Sequence, residues 1–455
     1  MPVISDANRK WWILAAMGGS LGLVVLDETI VGVALPTIRE DLAMSLVASH
    51  WIISAYLVVF TGLAAAAGKI GDLVDIKTFF VAGVVVFGLS SIACGFALNG
   101  AWLITARAIQ GIGAAIIFPT SVAMLAKVFP PEQRGLAFGI HVACGGTFMA
   151  LGPLAGGFMI DVLSWRWIFW INLPVAAAVA SIVWTGWVSA PRVGTATRFD
   201  YAGLFALVFG LTAFVLGLMQ GGDWGWSSPA TLAFLAGGAV LLVAFVVIEA
   251  RKKAPLIEIR LFRNATFTGA NLAIFTGQFG QIAVVVFIAI YLQHVLGMSP
   301  LNAGLALLPG VLALPFAPIV AGRISDRFGT RRPVLIGILF FGLSLFGIAG
   351  AVWAKSYALL VGPLVLWGCV MPMLYVPTRR AVMAVVPAAE HGEAGGINLT
   401  AQLLGGTIGM AVCGTLLAMT GDYRVVFLTS GVLAIVVLFI VWFTVEHPAD
   451  SQPTR

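Results

Sequence analysis

Charged residues are scarce in this chain, and their scarcity excludes a water-soluble fold. Only 10% of the 455 residues are Asp, Glu, Lys or Arg, whereas 60% are hydrophobic. A soluble domain carries roughly 25% charged residues. The mean hydropathy of +1.03 agrees with this composition. We therefore expect the lipid bilayer to be the solvent for most of the chain.

Residues for catalysis or metal binding are also few. The four cysteines lie singly inside apolar runs, where they are expected to pack as small hydrophobic side chains. The sequence has no G-x-x-x-x-G-K-[ST] loop, no H-E-x-x-H pair and no serine elbow in a plausible context. We therefore expect no metal, no cofactor, no nucleotide hydrolysis and no enzymatic activity. The first apolar run is too long for a signal-peptide core, so no cleavable signal is expected.

The net charge of +6 does not indicate nucleic-acid binding. Nucleic-acid binders gather their basic residues on one face. Here the basic residues lie in short loops between apolar runs, which is the pattern that orients membrane proteins. The partners expected from composition are therefore the bilayer and small molecules.

The apolar runs predict an all-α membrane protein with fourteen spans, because about 20 apolar residues cross the hydrocarbon core as a helix. A turn at the membrane surface is predicted between the seventh span and the eighth. It is indicated by Gly221-Gly222 and by the interfacial tryptophans Trp224 and Trp226. The predicted spans are 12–35, 48–68, 78–98, 101–126, 136–160, 167–188, 201–220, 229–249, 268–293, 301–321, 333–353, 357–378, 395–418 and 424–444.

The distribution of basic residues predicts that both termini are cytoplasmic. With the N-terminus inside, only Arg39, Arg166, Lys355 and Arg424 of the 25 Lys and Arg residues fall in outside loops, and Arg107 lies within a span. The inside loops carry all the others, among them the pair Arg379-Arg380. Because a miscounted helix would invert every later loop, this bias supports fourteen spans or another even count.

A short motif occurs twice at matching positions. Residues 68–72 (GKIGD) follow the second span, and residues 322–332 (GRISDRFGTRR) follow the tenth. Both loops are predicted to lie inside. Transporters are commonly built from repeats of this kind, with the substrate site where the repeats meet. The repeat predicts two six-helix bundles, at 1–188 and 266–455, separated by two additional helices at 189–265.

With these loops, five further segments give the chain a resemblance to a known family. They are 26–36 (LDETIVGVALP), 107–113 (RAIQGIG), 152–157 (GPLAGG), 165–174 (WRWIFWINLP) and 291–300 (YLQHVLGMSP). In this order they resemble the major facilitator superfamily, in its fourteen-helix drug:proton antiporter branch. The resemblance implies a proton-coupled multidrug exporter of the inner (plasma) membrane. It also implies that the two repeated loops form gating contacts. The segment 152–157, in the fifth helix, is implied to prevent leakage of protons through the protein.

Only Asp27, Glu28 and Arg107 are ionisable residues deep within a span, where a charge costs a few kcal/mol or more. If the first span ends near residue 33, Asp27 lies about six residues, or ~9 Å, below its outer end, and Arg107 lies about as deep in the fourth span. The resemblance places these two helices side by side. We therefore expect Asp27 and Arg107 to meet in one conformation and to carry proton coupling, with Asp27 as the proton carrier. A structural ion pair remains an alternative.

Weaker candidates complete the predicted sites. The gating residues are Gly68, Asp72, Gly322, Asp326 and Arg327, and the small residues on which the two bundles rock are Gly152, Pro153, Gly156 and Gly157. Polar and aromatic residues that could line a substrate cavity are Tyr56, Gln110, Phe275, Gln278, Tyr291 and Trp367. For most of these, hydrogen bonding or packing between helices is the alternative.

The sequence therefore predicts a proton-coupled exporter of small, hydrophobic or cationic compounds. The acids Asp27 and Glu28 are the reason for considering cations. An exporter dedicated to one endogenous metabolite, antibiotic or lipid remains open, as does uptake by symport. A membrane sensor or an intramembrane enzyme is the alternative of another class.

Overall fold

The computed structural model describes residues 5, 8–188, 200–252, 255–387 and 391–445, and it contains no β-strand among them. The all-α prediction is confirmed. The helices are α1 (Arg9–Asp41), α2 (Leu46–Leu73), α3 (Ile76–Gly95), α4 (Gly100–Val128), α5 (Pro131–Val162), α6 (Trp167–Trp170), α7 (Asn172–Gly186), α8 (Tyr201–Trp224), α9 (Pro229–Arg251), α10 (Ala265–Ile282), α11 (Ala289–His294), α12 (Pro300–Val311), α13 (Ala317–Phe328), α14 (Arg331–Trp353), α15 (Tyr357–Ala384), α16 (His391–Thr420) and α17 (Tyr423–Thr444).

Local chemistry sets where several helices begin. Ser45 accepts a hydrogen bond from the backbone N–H of Ala48, which caps α2. Asn99 caps α4 in the same way through Trp102. Such side chains satisfy backbone donors that would otherwise lack a partner in the first helical turn.

In the described part of the chain, 13 helices are long and apolar enough to cross a membrane. Of the fourteen predicted spans, the tenth, 301–321, is the one without such a helix. Its prediction as one continuous helix is wrong. It consists of α12 and α13, joined by a turn at 312–316. Pro315 and Pro318 account for the break, because proline lacks the backbone N–H that a helix interior needs. The total of fourteen crossings and the cytoplasmic termini stay predictions.

The helices form two compact units. The first comprises Met1–Thr212 and Met298–Leu305, and the second comprises Ala213–Gly297 and Ala306–Arg455. The most enclosed helix of the first unit is α1, with 83% of its apolar window buried. In the second unit the continuous stretch Ala265–His294 is 89% buried. Each unit is therefore built around one central helix.

The central stretch of the second unit is irregular. Between α10 and α11 the chain makes a π-helical turn, Ala283–Ile288, before the α-helix resumes. All six of its residues are buried. Turns of this type are rare and often lie at functional sites.

Glycines of α5 permit unusually close packing inside the first unit. A Cβ on Gly152 would overlap the side chain of Thr29, and one on Gly156 would lie 2.8 Å from Cγ1 of Ile30, both on α1. A Cβ on Gly157 would lie 2.5 Å from the carbonyl oxygen of Pro300. Small residues allow helix backbones to approach in this way. The structure thus brings α5 against α1 and against the start of α12.

We expect Gly157→Ala to destabilise the protein, because its added methyl group would meet the backbone of Pro300 and Leu301 at 2.5 and 2.6 Å. Overpacking against backbone atoms costs about 1–3 kcal/mol. The matched control is Gly139→Ala on the same helix, where a Cβ would have no neighbour within 4 Å. Thermal unfolding in detergent should show a lower midpoint for Gly157→Ala only. Equal midpoints for the two variants would show that this contact is not tight.

Candidate functional site

The centre of the site is an ion pair buried in the first unit. Nη1 of Arg107, on α4, donates a hydrogen bond to Oδ2 of Asp27, on α1. The exposed fractions of the two side chains are 1% and 0%. The structure therefore brings together the two ionisable residues that the sequence places at matching depth.

Besides Arg107, two polar side chains donate hydrogen bonds to the Asp27 carboxylate. Nε2 of Gln110 donates to Oδ1 of Asp27 at 2.9 Å, and Nδ2 of Asn172 donates to the same oxygen at 3.2 Å. Nδ2 of Asn172 also lies 3.0 Å from Oγ of Ser91, which in turn donates to the carbonyl of Phe169. These donors suit an ionised carboxylate, since it accepts hydrogen bonds and donates none.

Arg107 has several partners besides Asp27. Its Nε donates to the carbonyl oxygen of Ile52 at 3.0 Å, and its Nη1 also donates to Oε1 of Gln110 at 2.7 Å. The ring of Tyr56 lies 4.3 Å from the guanidinium carbon, and that of Phe169 lies 5.9 Å away. A buried cation needs such compensation. The cluster therefore joins α1, α2, α3, α4, α6 and α7 around one charge pair.

Glu28 does not share this enclosure. It is half-buried, whereas Asp27 is fully buried. One residue along a helix turns the side chain by about 100°. Glu28 still interacts electrostatically with Tyr56. The two adjacent acids therefore have different environments.

The predicted gating residues lie at helix ends. Gly68 and Asp72 fall in the last turns of α2, while Gly322, Asp326 and Arg327 fall in α13. The side chains of Asp72 and Asp326 lie outside the described residues. Arg327 packs over the ring of Phe328 at 5.3 Å, and the carbonyl of Gly322 accepts a hydrogen bond from Nη1 of Arg380 at 3.4 Å.

The six predicted cavity residues are divided between the two units. Tyr56 and Gln110 belong to the Asp27 cluster, as described above. Gln278 lies in the second unit, where its Oε1 accepts from the hydroxyl of Tyr375 at 2.7 Å. The hydroxyl of Tyr291 instead donates to the carbonyl of Val352 at 3.3 Å.

The two remaining candidates also lie in the second unit. Trp367 is 1% exposed, and its ring lies against Gly310. Phe275 lies 6.4 Å from Phe279, ring centre to ring centre, and its backbone packs against Gly405.

Sequence reasoning missed two members of the Asp27 cluster as site residues. Asn172 and Ser91 are buried with exposed fractions of 0%. Asn172 lies in the segment 165–174 that carries the family resemblance, and that position could have identified it. Ser91 had no such signal, because a serine in a span most often bonds to its own helix.

Long apolar helices in two units, with an ion pair buried inside one of them, define a multi-pass membrane protein of the secondary-transporter type. The chain belongs to the major facilitator superfamily. The model of the family described as Major Facilitator Superfamily matches residues 17–410 and 270–455.

Curated relatives of the chain are export and resistance proteins. The tetracenomycin C resistance and export protein of Streptomyces glaucescens is 32% identical over 92% of this chain and 78% of its own length. The multidrug resistance protein Stp of Mycobacterium tuberculosis is 33% identical over 89% of this chain and 75% of its own length. The crystal structure of a D-xylose-proton symporter superposes with a TM-score of 0.70 at 15% identity, covering 96% of this chain and 98% of that one. This last likeness supports the fold alone.

Proposed function

We propose that the protein is a proton-coupled antiporter that exports small, hydrophobic or cationic compounds and confers resistance to drugs or antibiotics. The observation that carries the coupling is the fully buried Asp27–Arg107 pair with its Gln110 and Asn172 donors. The export direction is supported by relatives named as export and resistance proteins.

The chemistry of the pair suits a proton switch. The proton affinity of a carboxylate depends on its burial, on the hydrogen bonds to it and on the distance to a nearby cation. When Asp27 takes up a proton, Arg107 keeps its charge but loses its only counter-ion within the cluster. A buried charge without a counter-ion is strongly unfavourable. Protonation therefore favours a different arrangement of α1 and α4. When the helices return to the paired arrangement, Asp27 releases the proton.

The helix α5 links this pair to the rest of the transport cycle in the proposal. Its Gly152 and Gly156 contact α1 two and three residues after Asp27, while Gly157 contacts the start of α12. A shift of α1 on protonation would therefore displace the residues of α5 that pack against it. This arrangement supports the predicted role of Gly152, Pro153, Gly156 and Gly157 as the surface on which helices rock.

The proposal also includes topology and cell location. In it the chain crosses the inner (plasma) membrane fourteen times, with both termini in the cytoplasm. The bundles at 1–188 and 266–455, with the two additional helices between them, and the gating role of the loops at 68–72 and 322–332 belong to the same proposal. The distribution of Lys and Arg supports the even number of crossings and the cytoplasmic termini.

An efflux panel tests the proposed function. Cells of a pump-deficient host that express the protein should resist several unrelated compounds and expel a fluorescent dye, and a protonophore should abolish the efflux. The reason is that the proton gradient is the only energy source the proposal allows. Uphill efflux that continues at full rate without the gradient would refute the coupling.

A dedicated exporter is the second candidate, and one relative favours it. The tetracenomycin C protein is named for a single compound. Resistance to one compound alone in the same panel would support this reading. A panel without any resistance or efflux would favour the membrane sensor or intramembrane enzyme instead.

A further inference from the structure

The second unit contains a polar cluster that the proton pair does not use. The hydroxyl of Tyr375, on α15, lies 2.7 Å from Oε1 of Gln278 and 3.0 Å from Oε1 of Gln281, both on α10. Nε2 of Gln402, on α16, donates to the same oxygen of Gln278 at 3.2 Å. Gln278 and Gln281 are 4% and 8% exposed. Three helices thus direct polar groups to one place in an apolar protein.

A cation stands at one end of this cluster. Nη2 of Arg379, one turn after Tyr375 on α15, donates to Oε1 of Gln402 at 3.1 Å. Arg379 lies five residues before the end of α15, or ~8 Å inside it. Its prediction as a loop residue was therefore wrong, because α15 extends six residues beyond the predicted span. The side chain is half-buried rather than exposed.

Arg379 has no counter-ion among the residues that the structure describes. Its bond to Gln402 engages one of the five N–H donors of a guanidinium, and no carboxylate forms an ion pair with it there. Arg107 shows the contrast, since Asp27, Gln110 and the carbonyl of Ile52 all accept from it. A half-buried cation with free donors is suited to bind an anionic group.

The orientation of the cluster follows from this cation. Arginine only donates, so Gln402 presents its oxygen to Arg379 and its amide N–H to Gln278. Gly405 holds α16 near enough for this, because a Cβ there would overlap the carbonyl of Phe275. The π-helical turn Ala283–Ile288 begins directly after α10, two residues beyond Gln281. Close packing of α16 against α10 therefore holds Gln402 beside Gln278.

We propose that Arg379, Gln402, Gln278 and Tyr375 form a substrate subsite that binds an anionic oxygen group, such as a carboxylate, of a small organic compound. The proposal rests on the proposed export function and specifies its substrate class. It reverses the preference for cations that Asp27 and Glu28 suggested, because Arg107 already neutralises Asp27. The guanidinium binds the anionic group, and Tyr375 and the glutamines bind polar groups beside it.

The test uses the purified full-length protein and two probes on the same anthraquinone ring system. One probe carries a carboxylate, and the other carries the neutral primary carboxamide. Quenching of tryptophan fluorescence measures binding without a proton gradient. We expect the wild type to bind the carboxylate more tightly, and Arg379→Gln to weaken carboxylate binding about ten- to a hundred-fold with little change for the carboxamide. Arg379→Lys should recover part of the loss, since it restores charge without the planar fork.

The neighbouring Arg380 supplies the control. Its side chain is exposed, so Arg380→Gln removes the same charge one residue away. We expect this variant to keep the wild-type ratio of the two affinities. Equal binding of both probes by the wild type, an equal loss of both in Arg379→Gln, or an identical change in Arg380→Gln would overturn the subsite. Any of these results would leave protonophore-sensitive efflux intact, so failure of this inference is distinguishable from failure of the proposed function.

Discussion

Replacing Asp27 with Asn is expected to abolish substrate-induced proton release from proteoliposomes. Asparagine keeps the shape of the side chain and can still accept a hydrogen bond from Arg107, but it does not titrate. Uphill efflux driven by an imposed pH gradient should fall to the level of protein-free vesicles. Downhill equilibration of the same compound should persist, because substrate movement itself needs no proton exchange in this scheme. The readouts are a pH-sensitive dye outside the vesicles and the substrate retained inside them.

The matched control for this experiment is Asp41→Asn. Asp41 ends α1, is 46% exposed and forms an ion pair of 3.1 Å with Arg166. Exposed pairs of this kind contribute roughly 0–1 kcal/mol. We therefore expect Asp41→Asn to retain proton release. Unchanged proton release in Asp27→Asn would remove this carboxylate from the mechanism and leave the structural ion pair as its role.

Replacing Arg107 with Gln is expected to destabilise the folded protein strongly. The substitution leaves the Asp27 carboxylate buried without its cation, and breaking one side of a buried pair costs about 3–5 kcal/mol. The melting midpoint in detergent should therefore fall well below that of the wild type. Proton-driven uphill transport should be lost as well, since Asp27 would no longer alternate between a paired and an unpaired state.

The double variant Asp27→Asn with Arg107→Gln separates structure from mechanism. With both charges gone, the buried mismatch disappears, and amide side chains can still hydrogen-bond to Gln110 and Asn172. We expect the double variant to recover most of the lost stability but none of the proton coupling. Recovery of both properties would mean that the pair is not needed for coupling. Recovery of neither would mean that the single substitutions damage the fold by another route.

The Asp27–Arg107 pair could be predicted from the sequence because charged residues are rare in a membrane interior. Only three ionisable residues lay deep in the predicted spans, and the helical rise placed two of them at similar depth. The contact then required only that α1 and α4 be neighbours, which the family resemblance supplied. Hydropathy also located thirteen of the long helices, because apolar runs of this length have few alternatives in a bilayer.

The break in the tenth span and the contacts of Arg379 and Asn172 could not be predicted from hydropathy. The break at 312–316 arises from closely spaced prolines inside an apolar run, which averaging over a window conceals. Arg379 looked like a loop residue because positive charge usually marks the end of a span. Its bond to Gln402 depends on the register of α15 against α16, which no local pattern fixes. Asn172 reaches Asp27 across 145 positions of sequence, so only the folded chain brings them together.

The π-helical turn Ala283–Ile288 interrupts the regular α-helical spacing in the middle of the second unit. Such a turn holds one residue more than an α-helix needs over the same rise. The spacing of 3.6 residues per turn therefore does not continue unbroken through it. The glutamines of α10 and Tyr291 of α11 lie on opposite sides of this interruption, so the direction of the glutamines does not fix the direction of Tyr291.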